Sequence, residues 1–389
     1  MKKISLAIFV ILVVFATGLG TGFFYGRSQV PPSPPQDLDF SLFWEAWQSL
    51  EEYYVDPDKL DYQQMIYGAI KGMTESLDDP HTVFMEPEDL KIFEEDTAGE
   101  FQGVGMEIGI RDDQLTVIAP LEGTPAEKSG LKPGDKIIKI DDRETQDMVV
   151  EIAVKLIRGP KGSKVVLTVM RAGWAEPKEF TITREIISVP SLKLEMLEGN
   201  IAYIKLYDFT RVASSEFKEA AADILASPSE KIILDLRNNT GGFLDVAQDV
   251  AGWFLEKGDI VTTEQISSGK TGTVYRANGP GKLLPYPTVI LVNQGSASAS
   301  EILAGALRDN RGIKLVGEQT FGKGSIQKVE ELTEGGLKIT IARWLTPQGY
   351  LIDNIGLEPD IAVELTDEDI EADRDPQLDK AIEVLKEMR

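Results

Sequence analysis

Apolar and polar positions follow different periods along the chain, and the period marks the elements. From Phe40 to Tyr54, Leu42-Phe43, Ala46-Trp47, Leu50 and Tyr53-Tyr54 recur every three or four residues, which predicts a helix. Tyr54-Val-Asp-Pro57 breaks it, and a second helix follows over Tyr62–Ser76 with Ile66, Ala69, Ile70 and Met73 on one face. Val117–Pro120 and Lys164–Met170 read as strands set among glycine- and proline-rich turns. From Ile201 onward strands and helices alternate. Ile201–Leu206 is a strand, Ser215–Leu225 a helix, and Lys231–Leu236 a near-continuous apolar strand followed by a helix to about Leu255. Thr271–Arg276 and Leu337–Leu345 add strands. Pro376–Arg389, with Leu378, Ala381, Ile382 and Leu385, closes the chain as an amphipathic helix. The alternation predicts α/β architecture in the second half.

Two stretches carry candidate chemistry. Thr288–Val292 is a short apolar run between Pro287 and the turn at Gln294-Gly295, and Ile302, Leu303, Ala306 and Leu307 then recur at helical spacing. A strand, a small-residue turn and a helix place one of Ser296, Ser298 or Ser300 near a helix N-terminus, where unpaired N–H groups suit an oxyanion. The same serines serve equally well as a cap in a closely packed turn. Some twenty residues on, after the strand-like Ile313–Val316, Lys323 stands between Gly322 and Gly324. Flanking glycines permit close approach, so Lys323 can be aimed inward. A serine nucleophile needs a base, and the one histidine, His81, lies far away in a polar turn. Lysine can replace it if its pKa falls from about 10.4 toward neutrality, roughly three units or about 4 kcal/mol, which burial can supply.

Together these segments resemble the C-terminal processing, or tail-specific, proteases, a serine–lysine endopeptidase family. Its pattern is a small-residue turn ending in S-A-S-E, then G-E-x-T-F/Y-G-K-G about twenty residues later, and both are intact here. The resemblance implies Ser298 as nucleophile, Lys323 as general base and Gln327 as the residue that orients the lysine. Asp235-Leu-Arg-Asn-Asn-Thr-Gly-Gly242 matches the family's D-L-R-x-N-x-G-G, with Thr240 where many members have proline. It implies an oxyanion hole made by the amide of Gly241 or Gly242 with that of Ala299, in a crotonase-like α/β domain. Asp235 and Arg237 read as braces of this loop. Leu77-Asp-Asp-Pro-His-Thr82 resembles a segment closing the family's N-terminal helical unit, so His81 reads as a turn residue. Some members dimerise through such helices, which admits a homo-oligomer here.

Gly123-Thr-Pro-Ala-Glu-Lys-Ser-Gly-Leu-Lys-Pro-Gly-Asp135 and the strand after it resemble a PDZ domain, a small β-barrel with helices. The resemblance implies a carboxylate-binding loop at Gly103-Val104-Gly105-Met106, beside a helix over Glu151–Ile157, and capture of a peptide C-terminus by β-augmentation. Arg158, at the end of that helix, has two readings: a coupling residue between peptide binding and catalysis, as proposed in relatives, or a solvated arginine beside a turn.

Composition narrows the remainder. The 389 residues allow two to three domains, and hydrophobic (42%) and charged (27%) fractions are those of a globular protein. A net charge of −24 argues against a nucleic-acid footprint. With no cysteine and one histidine, disulfides, thiolate catalysis and cysteine zinc sites are excluded, and no metal or other cofactor is expected. Lys2 and Lys3 precede an uncharged run, Ile4–Gly26, long enough to cross about 30 Å of hydrocarbon. It reads as a signal anchor holding an extracytoplasmic protein, with a cleaved export signal as the alternative. The expected division is an anchor (1–27), a proline-rich linker (28–38), a helical unit (39–95), the PDZ domain (96–186), the catalytic domain (187–365) and a C-terminal helix (366–389). The function expected is a membrane-anchored serine endopeptidase acting on proteins with free apolar C-termini. The alternatives are a catalytically silent PDZ scaffold and a crotonase-like acyl-transfer enzyme.

Overall fold

A computed structural model describes residues 38–389 except 112, 267–269, 367, 370, 371, 373 and 389. The apolar run Ile4–Gly26 and nearly all of the proline linker lie outside the described residues; among those described, no helix is long and apolar enough to cross a membrane. The chain divides into two compact units, Met1–Gly68 and Ala69–Arg389.

In the first unit α1 (Ser41–Tyr53) leads through a single 3-10 turn to α2 (Tyr62–Glu75), which runs on into the second. Asp61 Oδ1 caps α2 by accepting the amides of Gln63 and Gln64 at 3.0 and 3.1 Å. Trp47 stacks on Tyr62 at 5.9 Å, yet α1 buries none of its residues.

The second unit opens with β1 (Val83–Met85), α3 (Pro87–Ala98) and β2 (Glu100–Gly103). Pro87 at the first helical position, Glu88 and Asp89 in the first turn, and left-handed Gly99 after the last define α3. The expected PDZ module follows as β3 (Met106–Arg111), β4 (Gln114–Pro120), α4 (Pro125–Lys128), β5 (Lys136–Ile140), β6 (Arg143–Glu144), α5 (Val150–Ile157), β7 (Lys164–Met170) and β8 (Lys178–Thr183). Its sheet runs β3-β4-β5-β7-β8 around Leu115, Val117, Ile137, Val165, Leu167 and Val169. β9 (Glu185–Ser188) then pairs with β2, so the chain enters and leaves this module side by side.

Next come β10 (Leu192–Leu197), β11 (Ile201–Leu206), α6 (Ala213–Ala226), β12 (Lys231–Asp235), α7 (Leu244–Phe254), β13 (Ile260–Ile266), β14 (Thr271–Arg276), β15 (Thr288–Val292), α8 (Ala299–Arg311), β16 (Lys314–Gly317), β17 (Ser325–Glu331), β18 (Gly336–Leu345), β19 (Ile361–Ala362) and α9 (Pro376–Glu387). One sheet is ordered β10-β11-β12-β15-β16-β19, antiparallel at β10–β11 and parallel thereafter. Every residue of β15 is buried, as a parallel strand covered on both faces requires. Ile290 and Val292 pack with α7 and α8, while Val289 and Leu291 face Ala381 and Leu385 of α9. A second sheet runs β1-β18-β13-β14, with β17 on the other edge of β18. The loops leaving β12, β15 and β16 emerge from the C-terminal ends of three adjacent parallel strands, the usual location of α/β sites. They carry Gly241 and Gly242, Ser298, and Lys323.

Candidate active site

The turn after β15 separates its three serines. Ser296 Oγ donates to the Leu236 carbonyl (2.7 Å) and accepts the Asn293 amide (3.0 Å), while Ser300 Oγ donates to the Asn239 carbonyl (2.9 Å). Both are buried and spent on fixing the loop after β12. Ser298 alone opens on a cleft of about 440 Å³, whose walls include Gly242, Phe243, Ile302, Ile326 and Trp344. Its backbone sits at φ 55°, ψ −115°, a conformation that costs a non-glycine residue on the order of 1–3 kcal/mol and collects at functional sites. Ser298 is at the same time the N-cap residue of the helix that follows, Ala299–Arg311.

Gly241 and Gly242 lie against this serine. A Cβ on Gly241 would stand 2.7 Å from that of Ser298, and one on Gly242 would stand 2.5 Å from the Phe209 carbonyl. Asn239 organises the loop: its Nδ2 donates to the Leu206 carbonyl (2.8 Å) and its Oδ1 accepts the Gly241 amide (2.9 Å). That bond removes Gly241 as a free donor. The amides of Gly242 and Ala299, by contrast, make no hydrogen bond among the described residues. Arg237 braces the loop from behind, as expected. It pairs with buried Asp235 (2.7 Å) and with Asp375 (2.8 Å), while Asp235 also accepts Tyr203 Oη (2.6 Å).

The Lys323 loop is fastened to the Ser298 turn through Glu301, the third residue of α8. Glu301 is wholly buried and accepts four bonds: Ser298 N (2.9 Å), Lys323 N (2.9 Å), Gly322 N (2.8 Å) and Thr320 Oγ1 (2.5 Å). The Phe321 amide adds a bond to the Ser296 carbonyl (3.0 Å). Gly322, at φ +87°, and Gly324 let this loop pass against 353–356, where a Cβ on Gly324 would come within 2.1 Å of the Asp353 amide. Burial pushes the Lys323 ammonium below the usual lysine pKa, opposed by the Glu301 charge. Burial pushes the Glu301 carboxyl upward against the pull of its hydrogen bonds. Among the described residues no hydrogen bond joins Lys323 Nζ to Ser298 Oγ. Gln327 reaches the cleft, but its amide donates to Ser325 Oγ (2.8 Å) and Thr340 Oγ1 (3.4 Å) rather than touching the lysine.

The PDZ module carries a separate narrow groove of about 60 Å³ between β3 and α5, lined by Val104, Gly105, Met106, Ile108, Val154 and Arg158 among others. Gly103 ends β2, and the amides of Val104 and Gly105 make no hydrogen bond among the described residues. Gly105 has φ +76°, and a Cβ there would strike Thr124 at 2.5 Å. Arg158 is not solvated: it lies over the Phe101 ring (4.4 Å) and pairs with Asp96 of α3 (2.7 Å). One of its guanidinium nitrogens is buried without a hydrogen bond.

Family models match the sequence as Peptidase family S41 (200–363), PDZ domain (94–170) and Activating protease CtpB N-terminal domain (32–89). The carboxy-terminal processing protease CtpA of Bacillus subtilis is 36% identical over 94% of this chain and 79% of its own. The chain belongs to the carboxy-terminal processing serine proteases of family S41. A carboxyl-terminal-processing protease of Synechocystis sp. is 39% identical over 90% of this chain and 83% of its own. Among solved structures, the photosystem II D1 C-terminal processing protease aligns with a TM-score of 0.51 at 31% identity, covering 83% of this chain and 92% of that one.

In this S41 protease Glu301, which ends the S-A-S-E motif, is a further site residue that the motif alone does not mark. A glutamate at the third position of a helix reads as an exposed capping residue, and only the return of 320–323 over it makes it a buried hub. Asp79 is another, and its carboxylate accepts Thr82 Oγ1 (2.6 Å) and the His81 amide (3.0 Å). Thr82 Oγ1 in turn accepts the amide of Thr340 on β18 (3.0 Å). His81 thus belongs to a turn that braces the strand next to Gln327.

Proposed function

We propose that this protease holds the free C-terminus of a protein substrate in its PDZ groove and cleaves the chain with a Ser298–Lys323 dyad. One observation carries the reading: a single buried carboxylate, Glu301, binds the backbone of both residues and fixes the two loops to one another. Neutral Lys323 takes the proton from Ser298 Oγ as the oxygen attacks the scissile carbonyl. The oxyanion is received by the free amides of Gly242 and Ala299. Collapse expels the amine, which takes the proton from Lys323, and water activated by the same lysine hydrolyses the acyl-enzyme. The Ser298–Lys323 hydrogen bond forms once substrate fills the cleft. Gln327 acts from the floor of the cleft through Ser325 and Thr340.

In the groove, the amides of Val104 and Gly105 take the carboxylate while β3 accepts the peptide as an added strand. Arg158 couples the groove to catalysis through its pairing with α3. The lysines before the apolar run Ile4–Gly26 support an anchored enzyme with its catalytic part outside the cytoplasm, and the exposed apolar face of α1 supports pairing of copies through the first unit.

The test is cleavage of an unfolded protein with an apolar tail by the full chain, its Ser298→Ala variant and its Lys323→Ala variant. Loss of cleavage in both, with tail binding kept, is expected. Cleavage surviving either substitution contradicts the dyad.

A further inference from the structure

The Ser298 cleft has a charged wall that the steps above do not use. Glu264 of β13 and Tyr275 of β14 line the same cavity of about 440 Å³ as Ser298. Glu264 lies directly across from Trp344 in the β13–β18 ladder, so the two share one sheet face. Ala342 stands two residues before Trp344 on that face, and Ile326 of β17 is paired with it. Tyr275 meets Trp344 edge-on at 5.8 Å. The opposite wall is apolar, with Ile302 one turn beyond Ser298 on α8 and Phe243 next to Gly242. One cavity thus joins the nucleophile, apolar walls and a carboxylate.

We propose that Glu264 determines specificity: its carboxylate receives the cationic head of a lysine or arginine side chain on the residue that supplies the scissile carbonyl. The inference rests on the dyad reading above. With that carbonyl held at Gly242 and Ala299, the side chain of the same residue enters the cleft beside Phe243 and Ile302. Its methylenes pack on those walls and on Trp344, and only its head needs a polar partner. Glu264 is fixed for the task. Oε1 accepts Tyr275 Oη (2.7 Å) and Oε2 accepts the Thr273 amide (3.0 Å), which leaves each oxygen a further lone pair. Gly272 makes room for it, since a Cβ there would stand 2.8 Å from Oε2. Burial pushes the Glu264 carboxyl up, and the bonds from Thr273 and Tyr275 outweigh it, so the group stays charged. No lysine or arginine lies within ion-pair distance of it among the described residues. The other charges on the cleft walls are Asp245 and Lys328, and Glu330 pairs with the lysine at 2.5 Å. A carboxylate at the end of an apolar pocket selects a basic side chain, and this one repels aspartate and glutamate.

The readout is where the enzyme cuts. The full chain and its Glu264→Gln variant, with Glu264→Met should the first fold poorly, would digest an unfolded, apolar-tailed polypeptide of mixed sequence. Mass spectrometry of the fragments then gives the residue before each cut. Relative to their abundance, wild type is expected to cut after Lys and Arg more often than after Leu and Met, and least after Asp and Glu. The basic-to-apolar ratio should fall on the order of tenfold in the variants, the effect of removing one close charge from a half-buried site. Cuts after Asp and Glu should gain share. A purely structural Glu264 would lower every cut in proportion and leave the ratio alone. That result, or a wild-type pattern without the basic excess, overturns the role given to Glu264 and leaves the dyad standing. Cutting by Ser298→Ala with the wild-type pattern overturns the dyad itself, and this inference with it.

Discussion

Glu301 Oε2 accepts the backbone N–H of Ser298 and the backbone N–H of Lys323, each at 2.9 Å. The two loops come from the ends of different strands, and this carboxylate makes them one rigid object. Glu301→Ala leaves four donors, two of them buried and two half-buried, without an acceptor. Such a loss costs about 3 kcal/mol or more, and an ångström of drift between nucleophile and base costs on the order of 10²-fold in rate. Thermal unfolding and kcat should therefore fall together, and Glu301→Gln, which keeps one acceptor oxygen, should lose less of both.

Gly242 should tolerate no side chain. At φ +141° and with the Phe209 carbonyl 2.5 Å from any added Cβ, Gly242→Ala must turn its amide away from the cleft. Removing one oxyanion donor costs about 10²–10³ in kcat. Steady-state kinetics should show that loss with the affinity for substrate tails unchanged.

Lys323→Met is expected to abolish cleavage and stabilise the fold. The folded-state pKa of Lys323 is lowered by burial, so between that value and the unfolded value of about 10.4 the unfolded chain binds more protons. Wild-type stability accordingly rises with pH across that window. The variant's advantage is present at neutral pH and shrinks as pH approaches the unfolded value. Thermal unfolding of both proteins against pH reads this directly; a variant less stable at every pH would contradict it.

Recognition and chemistry should separate at Gly105. Gly105→Val places a branched side chain at φ +76°, into Thr124, and closes the carboxylate loop. Cleavage of tailed proteins should drop more than cleavage of short peptides that reach the cleft unaided. Equal losses would mean that the groove contributes fold rather than capture.

The catalytic layer was legible because its strands are buried on both faces. Ile201–Leu206 and Thr288–Val292 are continuous apolar runs and fall where expected, and Lys231–Asp235 ends one residue early. Ser298 and Lys323 were legible from motif and from the glycines that their turns require. Less visible were elements whose burial is made by distant partners. β17 reads Ser-Ile-Gln-Lys-Val-Glu-Glu, largely polar because one edge faces the cleft. α3 buries no residue completely, so its apolar period is weak even though Pro87, its acidic first turn and Gly99 mark both ends. Lys338 alternates with apolar neighbours as an exposed strand residue would; only the packing of β1 and α3 around it encloses the charge. Gln327 was assigned to the lysine by family pattern, and its actual partners, Ser325 and Thr340, depend on strand register that the sequence does not display.

Trapping the acyl-enzyme separates the Ser298–Lys323 dyad from every alternative. The full chain would be mixed with an unfolded, apolar-tailed protein, quenched in acid during turnover and mapped by mass spectrometry, alongside the Ser298→Ala and Lys323→Ala variants. A substrate-derived ester on Ser298 is expected in the wild type and none in either variant. An adduct on another residue, or cleavage by Ser298→Ala, would contradict it.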